Sequence, residues 1–454
     1  MIKRIKKFSN IIGIDDAIAF TLLIRLVQAG GGLVTLFFIA KCLTKIEQGY
    51  YYTFGSILAI QIFFELGLSS IITQFVAHEN ANLTWENEFS FSGSNESSSR
   101  LSSLLRFTIK WFVFIAFFMF IGLIISGYFF FGKYGKNEIY VDWQIPWIIL
   151  SITTSLSLMV SPILAFFEGL GMVKEVAKIR LLQQIIQLVL IFIFFSSGFK
   201  LYSSPIAAIL AFSIVPLWIF FKSKIKLLIY IWKSLGEWLV NYKLEIFPFQ
   251  WKIALSWISG YFIFQLFNPV LFATEGPVVA GQMGMTLTVL NSIYALAFSW
   301  ISTKTPVFSN LIAKKEFNQL DILFNRTLFQ SLSLNILGLI MFFGLIFILR
   351  YFNLEIYGEN YGDRFLPFLP MFFMMVPVML NHIIGSLATY LRCHKKEPML
   401  WLSIVIGILC SFSTFFLGKY FGVIGITLGY MIITILSFFW TCYIYVTKKK
   451  IWHN

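Results

Sequence analysis

Charge is what this sequence has least of. Only 12% of its 454 residues are Asp, Glu, Lys or Arg, about half the ~25% usual in soluble domains. With hydrophobic residues at 58%, a soluble chain of this length would expose large apolar patches and aggregate. Lipid has to be part of its solvent. Acids are scarcer than bases, 21 against 35. The resulting +14 does not describe a nucleic-acid surface, because the cations lie in short clusters between apolar runs. No nucleic-acid partner is expected.

Reactive chemistry is scarce too. The four cysteines, Cys42, Cys393, Cys410 and Cys442, form no CxxC or metal-type spacing. Lys41 directly before Cys42 argues against a lipoprotein processing site. The chain has no GxxxxGK, HExxH or GxSxG, which removes the familiar nucleotide, zinc-protease and serine-hydrolase sites. Glu65 is the one acid deep inside an apolar run, since Glu168, Glu275 and Asp363 fall at run ends. No catalytic set, metal site or cofactor is expected, and the protein is read as a non-enzyme.

What is present is length in the apolar runs. Crossing a ~30 Å hydrocarbon core takes about 20 residues of helix. Runs of that size occupy roughly 17–40, 50–76, 107–131, 145–167, 180–197, 201–221, 252–273, 278–302, 327–349, 365–390, 399–417 and 421–446. They are too long and continuous for barrel strands, so they are read as helices. The start, MIKRIKK, resembles the basic region of a signal peptide, but the run after it is long and holds Arg25, and it reads as a retained first span. The fold class is therefore an all-α polytopic membrane protein of about twelve transmembrane helices.

Lys and Arg set the orientation. In the connections on the side of the two termini there are 26 of them, and eight on the other side, with Arg25 completing the 35. Both termini are expected in the cytoplasm. The Ser/Asn-rich stretch 77–106 reads as a mobile cytoplasmic loop, and its two glycosylation-like triplets, at Asn82 and Asn95, as chance. Residues 222–251 form a basic linker. Ile225, Leu228, Ile229, Trp232, Leu235 and Leu239 share one helical face there, a pattern suited to an anionic membrane surface. It separates an N-terminal six-helix bundle, 1–221, from a C-terminal one, 252–454. KIEQGYYYTFGSIL (45–58) aligns loosely with PVVAGQMGMTLTVL (277–290), pairing Gly49 with Gly281, and FFEGLGMVKE (166–175) stands opposite YLRCHKKEPM (390–399). Two halves repeated in the same orientation imply a pseudo-two-fold along the membrane normal.

A charge at mid-membrane costs ~2.5–3.5 kcal/mol on insertion scales, so Arg25 and Glu65 are expected to avoid lipid. They face a cavity, or each other as a buried pair that only locks two helices. Arg25 lies about 12 Å and Glu65 about 16 Å from the cytoplasmic ends of their spans at 1.5 Å per residue, close enough to meet. Gln61, Glu65, Ser69 and Thr73 fall at i, i+4 spacing in the second span, and Arg25 and Gln28 share a face of the first. Further polar positions are Gln265 and Asn268 in the seventh span, Asn291 in the eighth, and Asn381 and His382 in the tenth. Such stripes line a substrate path or serve as ordinary helix-packing contacts. His382 alone reads more simply as a hydrogen-bonded interior histidine.

KCLTKIEQGYYYTFGSILAIQIFFELGLSSIITQFVAHE (41–79) and FEGLGMVKEVAKIRLLQQ (167–184) resemble a bacterial polysaccharide (O-antigen, Wzx-type) flippase of the MOP (MATE-like) superfamily. The resemblance implies a MATE-like pair of pseudo-symmetric six-helix bundles in the inner membrane. Its cavity would accept a polyprenyl-pyrophosphate-linked oligosaccharide by alternating access, for surface polysaccharide synthesis. Arg25 fits a cavity that holds a diphosphate. The coupling ion, where there is one, would be H+ or Na+, and a polysaccharide polymerase is an expected partner. Cation and drug antiporters of the MATE type resemble the same architecture but place acids in the first or seventh helix, where this chain has Arg25, Gln265 and Asn268. A membrane-embedded polymerase or ligase usually has a large outer loop rich in Arg and His, which this chain lacks.

Overall fold

The computed structural model describes residues 16–453 other than 88, 136–139, 354, 357, 358 and 395; the side chains of 16–26, 28, 29, 249, 356 and 359 lie outside that description. The regular structure of the described chain is helical apart from two short hairpins, Leu83–Trp85 with Phe91–Gly93 and Glu355–Ile356 with Glu359–Asn360. Among the described residues, eight helices are long and apolar enough to cross a membrane, and the total is ten if each of two bent pairs is one span. The helix Asp16–Cys42 covers the run read from sequence as the first span. The helix Leu400–His453, 54 residues long, would reach about 80 Å at 1.5 Å per residue, far beyond one crossing. Its backbone breaks at Gly422, with φ 56° and ψ −141°, which divides it into the eleventh and twelfth spans. The expected all-α polytopic architecture is the one observed.

The chain separates into two compact units, Met1–Gly31 with Ile60–Trp257, and Gly32–Ala59 with Ile258–Asn454. The segment between Gly32 and Ala59 falls with the second unit.

In the first unit, the helix Asn95–Tyr134 sorts its side chains by face. Phe112, Met119, Leu123 and Phe131 are buried, whereas Phe114, Phe117, Ile125 and Phe129 are exposed, an apolar outer face of the kind lipid covers. Trp147 is fully buried against it and donates to the Leu123 carbonyl at 3.0 Å, so its one polar atom is satisfied. Thr73 bonds the Ala165 carbonyl at 3.0 Å, fixing the end of the second span to the fourth.

The stretch expected to be mobile is ordered. After the hairpin, Ser94 caps the helix that begins at Asn95. Ser99, Ser102, Ser103 and Arg106 then lie on one face, spaced i, i+3, i+4, i+7. Ser99 Oγ donates to Trp238 O and accepts from Gly236 N, both at 2.8 Å, and Ser103 Oγ accepts from Val240 N at 3.3 Å. Ser102 Oγ and both Nε and Nη2 of Arg106 reach the Trp232 carbonyl. Those serines are the partners of the linker's backbone, which explains why a serine-rich run is a helix here. Arg100 joins Glu79 at 2.7 Å and Glu245 at 2.5 Å. This guanidinium holds the Glu245 carboxyl below the usual carboxylate range.

The linker itself departs from the expected pattern. Its helix covers only Lys224–Lys233 and turns Leu227 and Ile231 inward, with Lys224 paired to Glu175 at 3.0 Å. Ile225 and Ile229 point out, and Leu235 and Leu239 lie beyond the helix end, also exposed. The apolar face expected on the membrane surface is therefore outward, but it does not continue as helix to position 239.

In the second unit, the helix Lys45–Leu58 opens on a capping box, Glu47 N to Thr44 Oγ1 at 3.1 Å and Thr44 N to Glu47 Oε2 at 2.8 Å. It packs on the helix Pro277–Ala313. Glu275 accepts from Val423 N at 2.7 Å, capping the start of the twelfth span just after the Gly422 break.

Candidate functional site: broken spans and buried polar side chains

The second span does not run straight through. Its first helix ends at Leu58 and passes through a 3-10 turn, Ala59–Gln61, into the short helix Ile62–Glu65. Leu66 and Gly67 then adopt left-handed backbone, φ 50° and 69°, before the helix Leu68–Asn80 begins. The two parts meet at 41°. Glycine takes this conformation freely, whereas at Leu66 it costs of order 1–2 kcal/mol. A Cβ on Gly67 would also strike the Ile253 side chain. The i, i+4 stripe expected from Gln61 through Glu65 to Ser69 and Thr73 is interrupted here. Gln61 and Glu65 end one helical segment, and Ser69 and Thr73 belong to the next.

Glu65 therefore sits at a discontinuity, half-buried, two residues before the positive end of a 13-residue helix. A carboxylate is favoured at that end. The side chains of Arg25 and Gln28, expected on the facing span, lie outside the described residues. The seventh span breaks as well, at Gln265 and Leu266 between Phe264 and Phe267, with a bend of 40°.

In the second unit the other expected positions have separate surroundings. Gln265 is half-buried at the break. Asn268 is buried and donates to Ser56 Oγ at 3.0 Å. Asn291 is exposed. Asn381 donates to Tyr430 OH at 2.9 Å, while its neighbour His382, fully buried, bonds Ser331 Oγ at 2.9 Å through Nε2. The adjacent pair thus points to two different spans. Gln61 and Glu65 belong to the first unit, and the other five to the second.

A further polar centre has no signal in the hydropathy of the sequence. Gln48 Nε2 donates to the carbonyls of Gly281, at 2.9 Å, and Arg364, at 3.1 Å, and its Oε1 accepts from Arg364 Nη1 at 3.2 Å. Arg364, counted from sequence as a loop cation, is buried at 3% exposure. Arg350 bonds the carbonyls of Gly362, Phe365 and Leu366, so the backbone of 362–366 is gathered around two arginines. Among the described residues, no cluster of three His, Cys, Asp or Glu side chains is placed to hold a metal ion.

Comparison with known proteins bears on the arrangement of helices. No protein-family model matches the chain, and no curated protein matches it significantly. Solved structures do. A multidrug resistance MATE family transporter of the MOP superfamily, in an inward-facing conformation, aligns over 94% of this chain and 99% of its own, with TM-score 0.55 and 14% identity. The lipid II flippase MurJ, inward closed, aligns over 94% and 86%, with TM-score 0.60 and 16% identity. This chain has the fold of MOP-superfamily transporters. A MOP transporter from Pyrococcus furiosus, described as having a binding pocket of reversed polarity, aligns over 96% and 97%, with TM-score 0.57 and 14% identity. The fold is common to drug exporters and a lipid flippase, so the substrate has to be argued from side chains.

Proposed function

We propose that this MOP-fold protein flips a polyprenyl-pyrophosphate-linked oligosaccharide across the bacterial inner membrane by alternating access, for O-antigen or other surface polysaccharide synthesis. The observation that carries the reading is Arg25, the one cation deep inside an apolar run. It stands in the first span, where the drug-exporting relatives it resembles place an acid. A guanidinium has a bidentate match to phosphate oxygens, so a diphosphate headgroup would give a cation at that depth in the sequence a partner. In the seventh span Gln265 and Asn268 are neutral, and Gln265, half-buried at the break, is suited to sugar hydroxyls rather than to a cationic drug. MurJ, a flippase of lipid II by its description, has the same fold. Both termini lie in the cytoplasm in this reading, and a polymerase consumes the glycan delivered to the outer leaflet.

The test is deletion of the gene in its own strain. Lipid-linked repeat units should accumulate on the cytoplasmic leaflet and surface polysaccharide should disappear, with recovery on complementation. Unchanged polysaccharide in a strain without a paralogue, joined by new drug sensitivity, would replace this reading with a cation/drug antiporter.

A further inference from the structure

The third span carries a row of rings that the transport reading leaves unused. Phe107, Trp111, Phe114 and Phe118 recur at i, i+4, i+7 and i+11 along the helix Asn95–Tyr134, and so share one face. Phe107 stacks on Trp111 with ring centroids 6.1 Å apart, Trp111 on Phe114 at 6.5 Å, and Phe114 meets Phe118 at 4.7 Å. A fifth ring comes from the linker, since Tyr242 stacks on Phe107 at 5.0 Å and lies 6.4 Å from Trp111. The apolar run of this span begins at Phe107. From there to Phe118 the helix rises about 16 Å at 1.5 Å per residue, half of a ~30 Å core and so the depth of one leaflet. The row starts at the membrane surface and ends near the middle.

The surface end of the row is held in place. The π-turn Tyr242–Ile246 opens on Asn241, whose side chain accepts from Lys243 N at 3.1 Å and Leu244 N at 3.2 Å. Tyr242 OH is bonded to Gln250, and Glu245 to Arg100 and to Asn241 N. Arg106 is committed to the Trp232 carbonyl. The polar groups left over beside the rings are donors. Trp111 Nε1, Lys110 Nζ and Lys243 Nζ have no hydrogen-bond or ion-pair partner among the described residues, and all three side chains are exposed. Glu245, the carboxylate nearest to Lys243 in sequence, is already taken by Arg100.

We infer that this shelf seats one anionic phospholipid, with its phosphate against Lys110, Lys243 and the Trp111 indole and an acyl chain along Trp111, Phe114 and Phe118. Bulk lipid covers any apolar face of a span, but a fixed set of donors at the head of a ring row selects by headgroup. Two lysines attract a phosphodiester that keeps its negative charge. A zwitterionic lipid brings a cationic group that the same lysines repel. Trp and Tyr suit this depth, being apolar in body with a polar tip. The exposed rings of Trp111, Phe114 and Phe118 offer the chain a track one leaflet deep. The lipid would bridge the third span and the π-turn, both in the first unit. The site stands whether or not the transported substrate is a lipid-linked glycan.

Native mass spectrometry reads the site on full-length protein stripped of lipid in detergent and titrated with phosphatidylglycerol or phosphatidylcholine. Wild type should retain one phosphatidylglycerol at concentrations where phosphatidylcholine is lost. Lys110→Gln and Lys243→Gln should each weaken that binding about fivefold, the worth of one lysine beside an anionic headgroup, and Lys243→Arg should keep it. Lys226→Gln removes an exposed cation of the linker helix and should leave binding unchanged. Trp111→Phe keeps the ring, removes the N–H and should weaken binding, which reads the same site should a glutamine variant not fold. Equal retention of the two lipids overturns the proposal. So does a loss in Lys226→Gln as large as in Lys243→Gln, the mark of a diffuse basic surface. Displacement by polyprenyl pyrophosphate at a lower concentration than the phospholipid overturns it as well, and gives the shelf to the transported lipid.

Discussion

Gly49 and Gly281 lie backbone against backbone. A Cβ built on Gly281 would come within 2.9 Å of Gly49 N, and one built on Gly49 would fall on the Pro277 carbonyl. These are the two glycines that the loose internal alignment of 45–58 with 277–290 pairs. Gln48 seals the same spot with its bond to the Gly281 carbonyl. The helix Lys45–Leu58 is thus fastened to the helix Pro277–Ala313 where neither backbone can carry a side chain.

Alanine at Gly49 or Gly281 should therefore destabilise the protein. Overpacking typically costs ~1–3 kcal/mol, and the obstacle to Gly49→Ala is backbone, which cannot rotate away. Gly55, on the same helix, has nothing within 4 Å of its added Cβ, and alanine there should be neutral or mildly favourable. Thermal unfolding of the purified protein in one detergent should rank Gly49→Ala well below Gly55→Ala. Equal midpoints would mean that the close approach does not hold the fold.

The spans were legible because apolar length is a property of single segments, and charge asymmetry sums over the whole chain. What escaped was pairing at a distance. Ser99, Ser102 and Ser103 read as loop residues because composition carries no information about the linker backbone they bond 130 or more residues later. Arg364 counted as an outer-loop cation, since its burial depends on Gln48, 316 residues away. The break at Leu66 had half a signal. Gly67 in ELGL marks a permissive position, but an unbroken apolar run continues on both sides and hides it. For Arg25 and Glu65, sequence supplies the depth of each and the structure supplies only the backbone discontinuity at the second.

The Arg100 hub predicts a pH dependence. Arg100 lowers the pKa of Glu245 in the folded protein, so the unfolded chain binds this proton more readily. The contribution is then present above the ordinary carboxylate value, near 4.5, and lost as pH falls through the lower folded value. Thermal midpoints of wild type should fall more steeply below about pH 4.5 than those of Glu245→Gln, whose midpoint should be lower at neutral pH. Parallel pH profiles for the two would show that the bond to Arg100 does not stabilise the fold.

Orientation can be checked with single cysteines in a background lacking Cys42, Cys393, Cys410 and Cys442. A cysteine at Lys419, beside the Gly422 break, should react in intact cells with an impermeant maleimide. One at Lys233, at the end of the exposed linker helix, should react only after the membrane is opened. Labelling of position 233 from outside would invert the proposed topology and with it the direction of transport.

The last prediction concerns why a carboxylate stands in QIFFELGLSS at all. The break puts Glu65 at the end of one helical segment and just before the positive end of the next, where it can neutralise an arginine from the first span. Arg25→Ala and Glu65→Ala should both abolish export, because removing one member of a buried pair typically costs ~3–5 kcal/mol. Glu65→Gln should be milder, since an amide still accepts a hydrogen bond from the guanidinium, unless the carboxylate itself carries a proton. The reciprocal exchange, Arg25→Glu with Glu65→Arg, should restore folded protein better than either change alone. Leu66→Gly tests the break separately. It removes a left-handed strain of order 1–2 kcal/mol and should preserve export if the discontinuity is required, whereas Gly67→Ala should lose it. Coupling near zero between Arg25→Ala and Glu65→Ala, with both single variants well expressed, would show that the two side chains never meet. The glutamate would then serve the break alone.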